Sequence, residues 1–168
     1  NMKPASGIAP VWDYRDRGIN VAIGNDGPPC NNTLDAFTEM RQASLLQKVD
    51  QLDPTVTPAA EIFEMATRNG AKAAGFDKLG AIREGWRADI VGLNTDLTRA
   101  TPLHDVLSHL VFAAHGDDVR FTMVDGNVLM EQGEVTTIDA DAVRSRASTM
   151  GLEMDLEDER KSAQEQKP

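Results

Sequence analysis

The chain has 168 residues, 40% hydrophobic and 26% charged, the balance of a soluble globular protein with enough length to bury a substantial core. Its formal net charge of −10 excludes a general nucleic-acid binder, whose phosphate contacts need a basic surface. No apolar run approaches the roughly 20 residues of a membrane span, so a membrane protein is not expected either.

Residues 1–9 read as a loop, neither a signal nor a transit peptide. The first residue is Asn1 and not an initiator Met, so a fragment or processed piece is the expectation. Pro10 to Arg17 reads as a short helix, with Pro in the first turn and Gly18 as its stop. Ile19, Val21, Ala22 and Ile23 then form an apolar run ending at Gly24, which predicts a buried parallel strand over 19–24. Asp26 sits where that strand ends, followed by Gly27, Pro28 and Pro29. The carboxyl ends of strands in α/β sheets are where ligands and metals bind, so Asp26 is the best chemical candidate in the chain. The alternative is that it only braces the turn, as Asp-Gly pairs often do.

Asn31, Asn32 and Thr33 are candidate caps for a helix over about 34–49. There Leu34, Phe37, Met40, Arg41, Ser44, Leu45 and Lys48 recur at helical spacing, and the Met and Phe of that stripe read as core. Asp53-Pro54 marks a turn, Thr57-Pro58 a helix start, and Asn69-Gly70 its stop. A short helical piece over 71–74 follows. A strand followed by helices is the rhythm of a βα-repeat. Past residue 79 the composition becomes turn-rich. A strand is expected over 89–93, an irregular connection over 94–102 and a helix over 104–114. Strands over 119–124 and 127–131 flank Asp125-Gly126, a strong two-residue hairpin signal. A short strand over 134–138, a helix over 139–150 capped by Asp139, and an exposed polar tail complete the chain. Domains are therefore expected at 1–78, 79–138 and 139–168.

A hydrolytic metal site needs imidazoles and carboxylates converging on one point. His104, His109 and His115 are spaced by five and six residues, which does not place neighbours on one helix face, and a surface or packing role is the better expectation for each. No His-Glu-x-x-His, Gly-x-Ser-x-Gly or phosphate-loop pattern occurs. Cys30 is the one cysteine, which excludes a disulfide framework and suits a reducing, cytoplasmic setting. It also excludes the zinc deaminases that need Pro-Cys-x-x-Cys, since Pro29-Cys30-Asn31-Asn32 has one sulfur. A small, partly buried thiol is expected there. The residues alone supply a third or less of a metal site.

Met2-Lys3-Pro4-Ala5-Ser6-Gly7 after Asn1, then Gly18 to Gly27, Asn31-Asn32-Thr33-Leu34-Asp35, Met65 to Ala71, Gly80-x-Ile-x-x-Gly85-x-x-Ala88-Asp89, Thr101 to Asp105 and Val124-Asp-Gly126 together resemble the second half of an amidohydrolase-superfamily enzyme. The resemblance covers about residues 1–148 and is nearest to the 5-methylthioadenosine/S-adenosylhomocysteine deaminases and related chlorohydrolases. It implies an α/β fold, the C-terminal part of a (β/α)8 TIM-type barrel followed by part of a small β-sandwich. It also implies one divalent ion, Zn or Fe, and a small heterocyclic substrate. Asp26 matches the family's aspartate at the end of the last barrel strand, a metal ligand that also carries protons for the attacking water. Asn25 stands where the family usually has Thr, a departure that leaves the ligand in place, and His104 takes a family-like position without a metal role. The remaining ligands, an early His-x-His and two later histidines, and the family's catalytic glutamate would precede Asn1. A missing N-terminal half of the barrel, or a homo-oligomer partner, is the corresponding expectation. The readings carried forward are a deaminase, a chlorohydrolase-like enzyme and a noncatalytic structural or binding piece.

Overall fold

The computed structural model describes residues 2–165, with the backbone alone described over 157–165; Asn1 and residues 166–168 of the polar tail lie outside the described residues. The first half is helical: α1 (Val11–Asp16), α2 (Ala36–Gln51), α3 (Ala59–Ala66) and α4 (Arg68–Ala73). The second half adds β1 (Ile90–Leu93), α5 (Val106–Phe112), β2 (Val119–Val124), β3 (Asn127–Glu131), β4 (Glu134–Val135) and α6 (Ala140–Glu165). No helix among the described residues is long and apolar enough to cross a membrane.

The core is a cluster of Met40 from α2, Ile62 and Met65 from α3, and Val111 from α5, with Val21, Ile23, Phe37, Phe63 and Phe112 packed around it. The expected apolar stripe of α2 is corrected in detail. The buried residues are Met40, Ser44 and Gln47, whereas Leu45 is 47% exposed and Leu34, ahead of the helix, is 49% exposed. The reason is that polar side chains on this face secure the connecting loops. Ser44 Oγ donates to the Thr57 carbonyl at 2.9 Å, and Gln47 Nε2 donates to the Ala9 carbonyl at 2.9 Å. Gln47 Oε1 in turn accepts from the Trp12 N–H at 3.2 Å, satisfying one of the open donors at the start of α1.

The segment 19–24 is extended but pairs with no strand among the described residues, which corrects the expected buried parallel strand. Its alternation survives. Val21, Ile23 and Asn25 are half-buried on the helical side, while Ala22, Gly24 and Asp26 are exposed on the other. The segment instead takes acceptors from the helices: Ile23 N–H donates to the Met65 carbonyl in the last turn of α3 at 3.2 Å, and Asn20 Nδ2 to the Asn69 carbonyl at 3.1 Å.

The strands form one antiparallel sheet in the order β1-β2-β3-β4. Asp125-Gly126 turns the β2–β3 hairpin as expected, with positive φ at both residues (48° and 80°), the signature of a type I′ turn. Gln132-Gly133 repeats this geometry before β4, which stops after two residues and not at 138. The other elements agree with expectation, with three boundary changes. The helix expected to stop at Asn69-Gly70 ends at Ala66, because the backbone breaks at Thr67 (φ −121°, ψ −89°), and Asn69 and Gly70 lie inside α4. Thr57 is buried and precedes Pro58, which occupies the cap position of α3. Helix α6 runs to Glu165, 15 residues past the expected end at 150, through a stretch rich in the strong helix formers Glu, Lys, Arg, Gln and Ala.

The connection leading to the sheet touches α4 closely. A Cβ at Gly80 (φ 84°) would lie 2.7 Å from Arg68 Cα and 2.8 Å from Arg68 N, whereas one at Gly75 (φ 77°) would meet nothing within 4 Å. Gly80→Ala is therefore expected to destabilise the protein by about 2–4 kcal/mol, and Gly75→Ala by only about 1 kcal/mol, in urea unfolding. Equal losses would show that the contact with α4 does not constrain position 80.

Candidate functional site

Asp26 ends the extended segment with its backbone in the left-handed region (φ 59°), a conformation that Asp adopts more readily than most residues. Its side chain is exposed, and Oδ1 accepts the Gly27 N–H at 2.7 Å. Oδ2 has no hydrogen-bond or ion-pair partner among the described residues, so the carboxylate both braces the turn and keeps one oxygen available. Cys30 N–H and Asn31 N–H then both donate to the Gly27 carbonyl, at 3.0 and 2.9 Å, folding residues 27–31 into a compact turn.

An open groove of about 550 Å³ lies beside this segment, bounded by residues 21–26, by the 2–9 loop with Lys3 and Ile8, and by the α2 side chains of Glu39 and Gln42. Cys30 and Asn31 also line it. Asn25 lies on the helical side, where its Nδ2 is buried without a partner among the described residues. The three histidines do not join Asp26. His104 and His115 are exposed, His109 is half-buried on α5, and no group of three or more His, Cys, Asp or Glu side chains among the described residues could hold a metal. Cys30 is exposed, correcting the expectation of a partly buried thiol, because it sits with the exposed Pro28 and Pro29 in a turn that contributes nothing to the core.

Helix α2 is capped not by Asn31, Asn32 or Thr33 but by Asp35, whose Oδ1 accepts from Phe37 N–H at 2.8 Å and Thr38 N–H at 3.3 Å. Asn31 has a different task. Its Oδ1 accepts from Thr33 N–H and Leu34 N–H, and its Nδ2 donates to Glu39 Oε1 at 2.7 Å. The Asp-x-x-Thr of residues 35–38 was the available signal, overshadowed by the denser run of cap residues before it.

Asp35 also reaches outside the helix. Its Oδ2 accepts from Gly116 N–H at 3.2 Å, in the corner that leads into β2. Arg41 of α2 donates to the Ala114 carbonyl at 2.8 Å in the same corner. Asp118, 2% exposed, completes the joint by accepting from the Arg99 guanidinium and from His115 N–H at 2.9 Å. Burial pushes the Asp35 carboxyl up, but the N–H bonds from Gly116, Phe37 and Thr38, with the Thr38 hydroxyl, outweigh it and hold it below the usual range.

The amidohydrolase family profile matches residues 1–129. The 5-methylthioadenosine/S-adenosylhomocysteine deaminase of Haloarcula marismortui is 49% identical over 148 residues, 88% of this chain and 34% of that protein. The crystal structure of an adenosine deaminase from Xanthomonas campestris with bound zinc superposes with a TM-score of 0.86 at 37% identity, over 89% of this chain and 34% of that one. Atrazine chlorohydrolase from Arthrobacter aurescens, complexed with zinc, gives a TM-score of 0.74 at 29% identity, over 85% of this chain and 32% of that one. The chain thus spans about a third of the length of each of these proteins.

Because the folded Asp35 carboxyl titrates below its unfolded value near 3.8, its stabilisation is complete above that pH and disappears as pH falls through the folded value. Asp35→Ala is expected to lower the unfolding free energy by about 1–3 kcal/mol at pH 7, with the deficit shrinking below about pH 4. Asp35→Asn keeps a capping oxygen and should fall between the two. Urea unfolding at pH 7 and pH 3 checks this, and an undiminished deficit at pH 3 would show that the charge is not the cause.

Proposed function

From the premise that this chain belongs to the amidohydrolase family, we propose that it is the C-terminal portion of a metal-dependent deaminase that hydrolyses an amino-substituted purine or related heterocycle and releases ammonia. The similarity to the Haloarcula deaminase, 49% identity across 88% of the chain, is the observation that carries this reading. In the same reading residues 1–78 are the last strand and helices of a (β/α)8 barrel, 79–138 part of a β-sandwich with its covering helix, and 139–168 a terminal helix and tail. The unpaired segment 19–24 supports it, since an extended segment at this place lacks the strand partners that further barrel structure would supply. One exposed cysteine suits a cytoplasmic enzyme.

The donor chemistry of Asp26 fits a divalent ion, zinc or iron: a carboxylate with one oxygen engaged by Gly27 N–H and the other open. The remaining ligands would come from outside this chain. When bound, such an ion makes a water acidic enough to attack an sp² ring carbon near neutral pH. Asp26 would take the proton from the attacking water and deliver it to the departing ammonia. The Gly27 N–H fixes the orientation of the carboxylate while Asp26 does so.

The similarity to atrazine chlorohydrolase favours a second reading, in which the same proton carrier serves a heterocycle that loses chloride. A screen of aminopurine nucleosides and chlorotriazines, scored for ammonia against chloride, separates the two, with ammonia release expected. In the full-length enzyme Asp26→Ala is expected to lower kcat at least about 10³-fold, removing both a ligand and the proton carrier. Full activity in that variant would remove the role given to Asp26. Bound metal below a tenth of an equivalent would remove the metal-dependent reading altogether.

A further inference from the structure

The geometry points to Lys3 as a positioning residue that holds the Asp26 turn in its metal-binding shape, an inference resting on the reading of Asp26 as a metal ligand. Lys3 Nζ donates to the Pro29 carbonyl at 2.9 Å and to Asn32 Oδ1 at 2.7 Å, joining positions 26 and 29 residues apart in sequence. Both segments it joins border the groove beside Asp26.

The turn needs such an anchor because its own bonds are local. Gly27 N–H reaches only Asp26, and Cys30 and Asn31 reach only the Gly27 carbonyl. Asn31 is tied to Glu39, which secures the far half of the loop against α2. For residues 27–30, the Lys3 bond to Pro29 is the only hydrogen bond from outside the loop among the described residues. Meanwhile Asp26 is held at φ 59°, a backbone state that costs free energy and relaxes unless its surroundings enforce it. Lys3 is thus the tether on the C-terminal side of a strained residue whose carboxylate must stay aimed, matching the Ile23–Met65 bond on its N-terminal side. An ammonium that donates to two acceptors on one turn supplies charge-assisted bonds without occupying either Asp26 oxygen.

The test uses the full-length enzyme loaded with zinc, with Lys3→Met, Lys3→Arg and Asp26→Ala. Zinc loss to a chelator is followed alongside hydrogen exchange of the Cys30 and Asn31 amides and the thermal midpoint. Lys3→Met is expected to lose zinc about tenfold faster and to exchange those amides about tenfold faster, with the midpoint nearly unchanged. Lys3→Arg, which keeps donors and reach, should stay within about twofold of the parent. Should Lys3→Met not fold, Asn32→Ala removes one acceptor from the opposite side and should move zinc loss in the same direction. If Asp26→Ala loses zinc quickly while Lys3→Met keeps it as long as the parent, the tether is overturned and the ligand reading stands. If Asp26→Ala itself keeps zinc as long as the parent, the ligand reading falls and the tether falls with it. Faster zinc loss matched by a fall in the midpoint would make Lys3 merely structural and overturn the proposal.

Discussion

The contact of Val21 and Ile23 with the Met40, Ile62, Met65 and Val111 cluster sets where Asp26 can be. An ordinary strand is located by its ladder, but this segment has no strand partner among the described residues. Its one backbone bond to α3, from Ile23 N–H to the Met65 carbonyl, contributes about 1 kcal/mol net. Burying a Val or Ile side chain fully is worth about 1.5–3 kcal/mol, so even the partial burial of two such residues outweighs that bond. Packing decides the position, and alternation decides the facing. With Val21 and Ile23 turned to the helices, Ala22, Gly24 and Asp26 turn the other way.

From Asp26 onward the controlling interactions change from apolar to polar. The loop 27–34 has no buried hydrophobic anchor, and its path follows from Lys3, from the Asn31–Glu39 pair and from Asp35. Asp35 extends this order further, because one carboxylate caps α2 and also grips the corner before β2. Arg41 and the Arg99–Asp118 pair make that corner a joint between the helical half and the sheet. Such a joint tolerates little slack. Asp118 is almost fully buried, and removing its arginine would leave an uncompensated charge, which costs far more than an exposed ion pair gains.

These two regimes explain what was legible in the residues. Helices α2, α3 and α5 and the β2–β3 hairpin follow local rules, apolar spacing in the helices and Asp125-Gly126 in the turn, and both act within a few residues. The turn at Asp26, where the extended segment ends, was legible for the same reason. What could not be read was long-range or polar. Ser44 and Gln47 look like interruptions of an apolar stripe until their loop partners are known. Asp35 competes with three better-placed cap residues, and only the fold brings Gly116 to it. The segment 19–24 reads as a buried strand because its apolar content is real, yet whether a ladder forms depends on neighbours that local sequence does not specify.

Positioning by packing and orientation by polar tethers fail differently, and this separates the two kinds of residue around Asp26. Loss of a core side chain such as Ile62 leaves a cavity that destabilises the helices jointly, so the segment and everything after it are weakened together. Loss of a tether on an exposed turn removes little global stability, since such bonds are individually small. It can still release the strained backbone at Asp26, because a left-handed Asp persists only while its surroundings enforce it. The direction of a carboxylate with one oxygen held by Gly27 N–H and the other open follows from that backbone state more directly than from the core. Placement of the candidate ligand is therefore a property of the fold, whereas its aim belongs to a few polar contacts that the fold itself does not need.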